Sequence, residues 1–183
     1  SKFADLIDMA NIGTIERKIK LAVVAKFSEY LYRDIEEIYM DLYRYAYYTL
    51  KNSYDAEDVV SDTVTDAFYG IHSLKKPESF KSWIFTILSA KCKRKLKSYT
   101  KKTIPLDEEL PSMEPIIENE TIIRQDIRKA LFQLSDIERI IINLSIIVGF
   151  SSKEIGIQLH INHNTVRSIQ SRALIKLKKF LMD

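Results

Sequence analysis

Apolar residues recur along this chain at mixed spacings of three and four, the period of an α-helix rather than the alternation of a strand. From Thr14 onward, Ile15, Ile19, Val23, Phe27, Leu31, Ile35, Ile38, Leu42 and Ala46 keep that period. The pattern predicts two consecutive helices and leaves the position of their break open. In "SYDAEDVVSDTVTDAFYGI", Ser53 or Asp55 stands where an N-cap is needed, Val59, Val60, Val64, Ala67 and Phe68 form an apolar stripe, and Gly70 is a stop. A turn-like "SLKKPES" leads into "FKSWIFTILSAKCKRKLKSY", apolar in its first half and basic in its second. From Ile122 four more helical segments follow: "IIRQDIRKALFQL", "DIERIIINLSIIVGF" behind Ser135, "KEIGIQL" behind Ser151 or Ser152, and "NTVRSIQSRALIKLKKF" opened by His163 or Asn164.

Composition agrees with this pattern. Among 183 residues, 46% are hydrophobic and only four each are Gly and Pro, which favours helices over a turn-rich β fold. The length suits one domain or two small ones. The stretch from Thr103 to Glu120 separates two: it holds three of the four prolines and the acids Asp107, Glu108, Glu109, Glu114, Glu118 and Glu120, with no Lys or Arg. Proline removes helix hydrogen bonds and clustered acids repel, so this stretch reads as a flexible acidic linker. The expected fold class is all-α, two small helical domains joined by that linker, the C-terminal one a helix-turn-helix. The single Cys92 rules out an internal disulfide and fits a reducing compartment, hence the cytoplasm. The longest apolar run, "IIINLSIIVGF", falls short of the roughly 20 residues a membrane span needs, so no stable membrane insertion is expected.

A net charge of +3 is too small to demonstrate a polyanionic partner, but its distribution is uneven. Lys91, Lys93, Arg94, Lys95, Lys97, Lys101 and Lys102 have no acid among them. Between Ser152 and Arg172, the apolar positions Ile155, Leu159, Ile161, Val166 and Ile169 fit two short helices meeting at the tight turn "HINH". His160 stands where glycine is more usual, and histidine reaches left-handed backbone conformations more readily than most residues. With Val166, Ile169 and Ala173 turned inward, Thr165, Arg167, Ser168, Gln170, Ser171 and Arg172 lie on exposed or flanking faces. These side chains can donate to phosphates or read base edges. Asn164 before them and Lys176 one turn beyond Arg172 extend the set. A plainer reading is an amphipathic terminal helix with a solvated basic face. The capped helix and four-residue turn in front of it favour DNA binding.

Two further groups carry chemistry. Asp58, Asp62 and Asp66 recur every fourth residue, placing like charges along one helix face, where they repel by a few tenths of a kcal/mol per pair. That face calls for a basic partner; the plainer reading is a solvated acidic surface. Phe80, Trp83 and Phe85 precede the basic cluster, so the aromatics can stack on unpaired bases while the cations meet phosphates. Trp83 at helical spacing is more simply a packing residue. His72, His160 and His163 are the only histidines, and neither a catalytic set nor a Gly-rich phosphate loop occurs. No enzyme, metal or cofactor is expected.

The segment "LFQLSDIERIIINLSIIVGFSSKEIGIQLHINHNTVRSIQSRALIKLKKF" resembles region 4 of bacterial extracytoplasmic-function (ECF) sigma factors. The shared frame is a Leu-x-x-Leu opening, Glu138-Arg139, Ser152 to Ile155, Thr165 to Ser168, Arg172-Ala173 and Leu177. Upstream, "DLYRYAYYTLKNSYDAEDVVSDTVTDAFYGIHSLKKPESFKSWIFTILSAKCKRKLKS" resembles region 2 of the same family through Asp55 to Val60, Asp62, Phe68, Ser79-Phe80 and Trp83. The resemblance implies an unassigned N-terminal helical extension (1–30), a region 2-like domain (31–100), a linker (101–121) and a region 4-like domain (122–183).

It further implies that the second helix of the helix-turn-helix reads the minus-thirty-five promoter element in the major groove. Region 2 would meet the minus-ten element through Lys75, Lys76, Ser79, Phe80, Lys91, Arg94 and Lys95, with a flipped base held by the loop from Leu74 to Ser82. Asp58, Ser61 and Asp62 would dock on the β′ clamp of core RNA polymerase, and region 4 on the β flap. The linker would thread the RNA channel, and an anti-sigma protein would mask both modules. The sequence departs from the family at Ser61, where glutamine is usual, and at Thr86 and Ala90, where arginine and asparagine are common. Rival readings are a stand-alone helix-turn-helix regulator with a sensing or dimerising N-terminal domain, and an adaptor that binds no DNA.

Overall fold

The computed structural model describes residues 38–74, 76–101 and 122–182. The N-terminal extension, Lys75 and the acidic linker lie outside the described residues, as does any helix break before residue 38. Among the described residues every regular element is helical. Helix α1 covers 38–50, α2 Ser53–Gly70 and α3 Phe80–Lys101, with short 3-10 turns at Ile71–Ser73 and Pro77–Ser79 between the last two. Four helices follow: α4 Ile122–Phe132, α5 Asp136–Ile146, α6 Ser152–Leu159 and α7 His163–Met182.

The caps explain most of these boundaries. Lys51 adopts a left-handed conformation with φ 65° that ends α1. Asn52 then caps α2, its side-chain oxygen accepting the Asp55 amide at 3.0 Å. This displaces both sequence candidates, Ser53 and Asp55; asparagine caps as well as either once its backbone is extended. Helices α5 and α6 each open on a capping box, Ser135 with Glu138 and Ser151 with Glu154. Ser151, not Ser152, therefore caps α6.

The N-terminal module packs α2 against α3, with α1 contributing Leu42, Tyr45, Ala46 and Leu50 to a core shared with Val60, Ala67, Ile84, Phe85 and Leu88. In the C-terminal module, α7 packs against α4, α5 and α6. The two modules are not held apart. One continuous core runs from Leu42 and Phe85 to Ile140, Ile141, Leu144, Phe150, Ile155 and Val166. Phe150 meets the edge of Phe85 at 5.8 Å between ring centroids. Burying one such ring contributes about 1.5–3 kcal/mol.

The reason is visible in α5, whose residues from Glu138 to Leu144 are all buried. Two helical turns with no solvated face must be covered on every side, and α1 of the other module supplies part of that cover. The linker's composition correctly separates two helical units in sequence. It carries no information on whether those units then pack together.

Candidate nucleic-acid interface

The helix-turn-helix is built on an unusual backbone pair. His160 sits in the left-handed region, φ 56° and ψ 44°, and its amide donates to the Gly156 and Ile157 carbonyls. The Ile161 amide donates to the Gly156 carbonyl at 2.9 Å. A Cβ on residue 156 would stand 2.7 Å from the Ile161 carbonyl oxygen, so glycine is needed there for close approach. The glycine expected at the junction is thus replaced by His160, and a second glycine requirement appears one turn upstream. Sequence reading missed Gly156; its signal was a glycine inside an otherwise helical pattern. Asn162 accepts the Asn164 amide at 2.8 Å and starts α7 at His163.

Val166 and Ala173 are fully buried and Ile169 packs against the core, as the helical spacing predicts. Asn164, Thr165, Arg167, Ser168, Ser171 and Arg172 are exposed. The Arg172 guanidinium lies back along the helix, its Nε donating to the Ser168 carbonyl at 3.3 Å. Gln170 and Lys176 point elsewhere. The Gln170 amide donates to Ser145 Oγ at 2.7 Å and accepts weakly from Ser152 Oγ at 3.5 Å, tying α7 to α5 and α6. Lys176 Nζ lies 2.7 Å from Glu138 Oε1, which also belongs to the α5 capping box. The Lys176 hydrogen bond, helped by those from Ser135, holds the Glu138 carboxyl below the usual carboxylate range against the opposing effect of burial.

The second basic segment is arranged differently. Lys91 Nζ lies 2.7 Å from Asp66 and 3.8 Å from Asp62; Lys95 Nζ lies 2.8 Å from Asp55 and 3.6 Å from Asp58. Tyr99 donates its hydroxyl to Asp55. The hydrogen bond to Asp55 is the main reason the Lys95 ammonium is pushed above its ordinary value. Repulsion along the acidic face of α2 is therefore relieved within the chain, by α3. Access is divided unequally in this ladder: the Asp58 and Asp62 side chains are each 65% exposed, whereas Lys91 is 11% exposed. Ser61 is exposed beside them. The carboxylates keep a surface for a partner, and the lysine beneath them is covered.

The aromatics of α3 are core residues here. Phe80 and Phe85 are buried, which leaves neither ring a face for a base. Trp83 is half-buried, 6.1 Å from the Phe80 ring, and a Cβ on Gly70 would meet the indole at 3.3 Å. Gly70 both closes α2 and makes room for the tryptophan. Of the remaining minus-ten candidates, Lys76 and Arg94 are exposed, Ser79 is half-buried, and Lys75 lies outside the described residues. No cluster of three or more His, Cys, Asp or Glu suited to a metal occurs among the described residues. Cys92 is buried and its thiol is pushed up to about 12, too high for a nucleophile. No described helix is long and apolar enough to cross a membrane.

Against known proteins, residues 34–102 match sigma-70 region 2 and residues 130–179 match sigma-70 region 4. The chain is 29% identical over 134 residues to RNA polymerase sigma factor SigV of Bacillus subtilis, covering 73% of this chain and 80% of that one. It is 27% identical over 141 residues to ECF RNA polymerase sigma factor SigM of Mycobacterium tuberculosis, covering 76% and 71%. Among solved structures it is similar to the sigma factor RpoE of Bartonella quintana, determined with the anti-sigma factor NepR. That match has a TM-score of 0.71 and 25% identity, over 82% of this chain and 95% of the other. CnrH, determined with the cytosolic domain of CnrY, shares the fold at a TM-score of 0.65 and 19% identity over 90% and 96%. With both regions matched in order along one chain, the chain belongs to the ECF sigma factors, non-enzymatic proteins that direct promoter-specific initiation of transcription.

Proposed function

We propose that the exposed face of α7, formed by Asn164, Thr165, Arg167, Ser168, Ser171 and Arg172, reads the minus-thirty-five element in the major groove. The carrying observation is that these polar side chains are solvent-facing while Val166 and Ala173 lock the opposite face into the core. Arg167 is the strongest candidate for a base contact, because a planar guanidinium can pair bidentately with a guanine edge. Gln170 and Lys176 act as internal ties that orient α7. At the minus-ten element, Lys76, Ser79 and Arg94 provide the polar contacts, and Lys91 and Lys95 set the shape of the α2–α3 pair. Asp58, Ser61 and Asp62 form the polymerase-docking surface on the β′ clamp, and the C-terminal module docks on the β flap.

RpoE of Bartonella quintana is held by an anti-sigma factor, and a protein of that kind is a fitting partner for this chain as well. The workplace is the cytoplasm, where the polymerase and the chromosome are. Run-off transcription with core polymerase tests the assignment: the chain should start synthesis at defined promoters, and Asp58→Asn with Asp62→Asn should abolish polymerase capture while leaving DNA binding by α7 intact. A stand-alone helix-turn-helix regulator, which the paired region matches disfavour, would bind a palindrome without starting synthesis.

A further inference from the structure

A groove runs along α6 and the turn behind it. Lys153, Gly156 and Ile157 of α6, with His160, Ile161 and His163 beyond them, line a cavity of about 520 Å³. None of these residues belongs to the α7 face assigned to promoter reading. The backbone sets the shape of the groove. Gly156 presents no Cβ, which leaves the turn free to close on α6, and its carbonyl accepts the Ile161 amide at 2.9 Å. The concavity is therefore preformed.

Its lining is apolar and wet. Ile157 is 77% exposed, the highest fraction among the described large apolar side chains, and Ile161 is half-buried in the same groove. A single exposed isoleucine is ordinary on a protein surface. Two isoleucines in one rigid concavity instead offer a place where a partner's apolar side chain leaves water. The polar lining is just as one-sided. The side chains of Lys153, His160 and His163 make no hydrogen bond or ion pair with other described residues, and no Asp or Glu lines the groove. The neighbouring acid, Glu154, is held in its capping box, where Oε2 accepts both the Ser151 amide and the Ser151 hydroxyl at 2.7 Å. Asn162 is engaged as well, since its side-chain oxygen accepts the Asn164 amide. What remains available is one ammonium and two imidazoles, all able to donate to a carboxylate.

A lining this exposed cannot enclose a free small molecule, which needs most of its surface covered. It suits a side chain delivered on a protein backbone, with charge complementarity fixing its register. We propose that this groove is a docking site for an acidic segment of a second protein, which inserts an apolar side chain against Ile157 and Ile161 and sets its carboxylates against Lys153, His160 and His163. Because the groove and the reading face share no residue, the chain can hold this partner while α7 reads DNA.

Fluorescence anisotropy on the full chain tests this, with a dye-labelled synthetic peptide whose leucines recur every three or four residues among glutamates. The acidic peptide should bind, and its counterpart with lysine in place of glutamate should not. Ile157→Ser, at an exposed position, should keep the helical signal and weaken peptide binding about tenfold, and Lys153→Gln about threefold. In run-off synthesis with core polymerase, Ile157→Ser should match the wild type. Asp107→Asn with Glu108→Gln and Glu109→Gln, in the linker, should leave peptide affinity unchanged. A flat titration, equal binding of the two peptides, or binding that ignores Ile157→Ser would overturn the docking site. Run-off synthesis lost together with peptide binding would overturn its separation from the promoter-reading surface. A tenfold gain in affinity from the linker substitutions would show the chain's own acids filling the groove, and would overturn the second protein as its occupant.

Discussion

Two helices in this protein look alike in sequence and behave oppositely. The second half of α3 and the whole of α7 are both basic and free of acids, and both invite the reading of a nucleic-acid surface. In the folded chain, Lys91 and Lys95 of α3 lie against the acidic ladder of α2, whereas Arg167 and the polar residues around it on α7 are exposed with no acidic neighbour on their own helix. Charge pattern along one helix cannot distinguish these cases, because the neutralising group belongs to another element. The same logic recasts the acidic face. Asp58 and Asp62 are stabilised from within and still 65% exposed, which lets them dock on a partner without depending on it for folding.

The contrast can be attacked at several points. Gly156→Ala should have the largest effect, destabilising the C-terminal module by about 3 kcal/mol in urea unfolding, because the new methyl meets the backbone of Ile161. An unchanged midpoint would show that the turn can relax and that α7 is less rigidly aimed. Arg167→Ala should weaken cognate promoter binding by about 1–3 kcal/mol while sparing mismatched sequences; an equal loss on every sequence would make α7 a phosphate surface like the one first expected of α3. Gln170→Ala should lower stability by about 1 kcal/mol through the lost bond to Ser145. Its discrimination among base pairs should stay as in the wild type, and relaxed discrimination would return Gln170 to the reading face.

The acid side of the stability profile probes the Lys176–Glu138 tie. Glu138 titrates below its ordinary range when folded, so its contribution is present above the usual carboxylate pKa and is lost as pH falls through the depressed value. Glu138→Gln should flatten that acid limb in pH-dependent thermal unfolding. Smallest of all, Arg94→Ala should reduce the slope of log affinity against log salt by about 1, and Lys91→Ala should leave it unchanged. Equal slopes for the two variants would mean that Lys91 leaves the α2 ladder to meet phosphate.

Much of this was readable before any fold was known. The helix-turn-helix followed from the spacing of Ile155, Leu159, Val166 and Ile169, and the left-handed tolerance of histidine anticipated His160. The serines at 135 and 151 or 152 located the starts of α5 and α6 to within one residue. Three things were not readable. Gln170 shares its helix face with true surface residues, and only the positions of Ser145 and Ser152, distant in sequence, turn it inward. Phe80 sits at a register that permits either a stacking platform or a core, and the 3-10 turn before α3 buries it. Arg139 lies beside a run of three isoleucines, a placement that hints at burial without naming Thr49 as its acceptor.

Local, periodic information was enough to set the helices, the caps, the turn and the family, since each depends on residues within about one or two helical turns of one another. The shared core of the two modules, the pairing of Lys91 and Lys95 with α2 and the burial of Arg139 under α1 depend on residues 25 to 94 positions apart. Tertiary packing alone decided these, because a buried charge or ring chooses its partner by proximity in space, and the periodicity of a single helix holds no record of what lies against it.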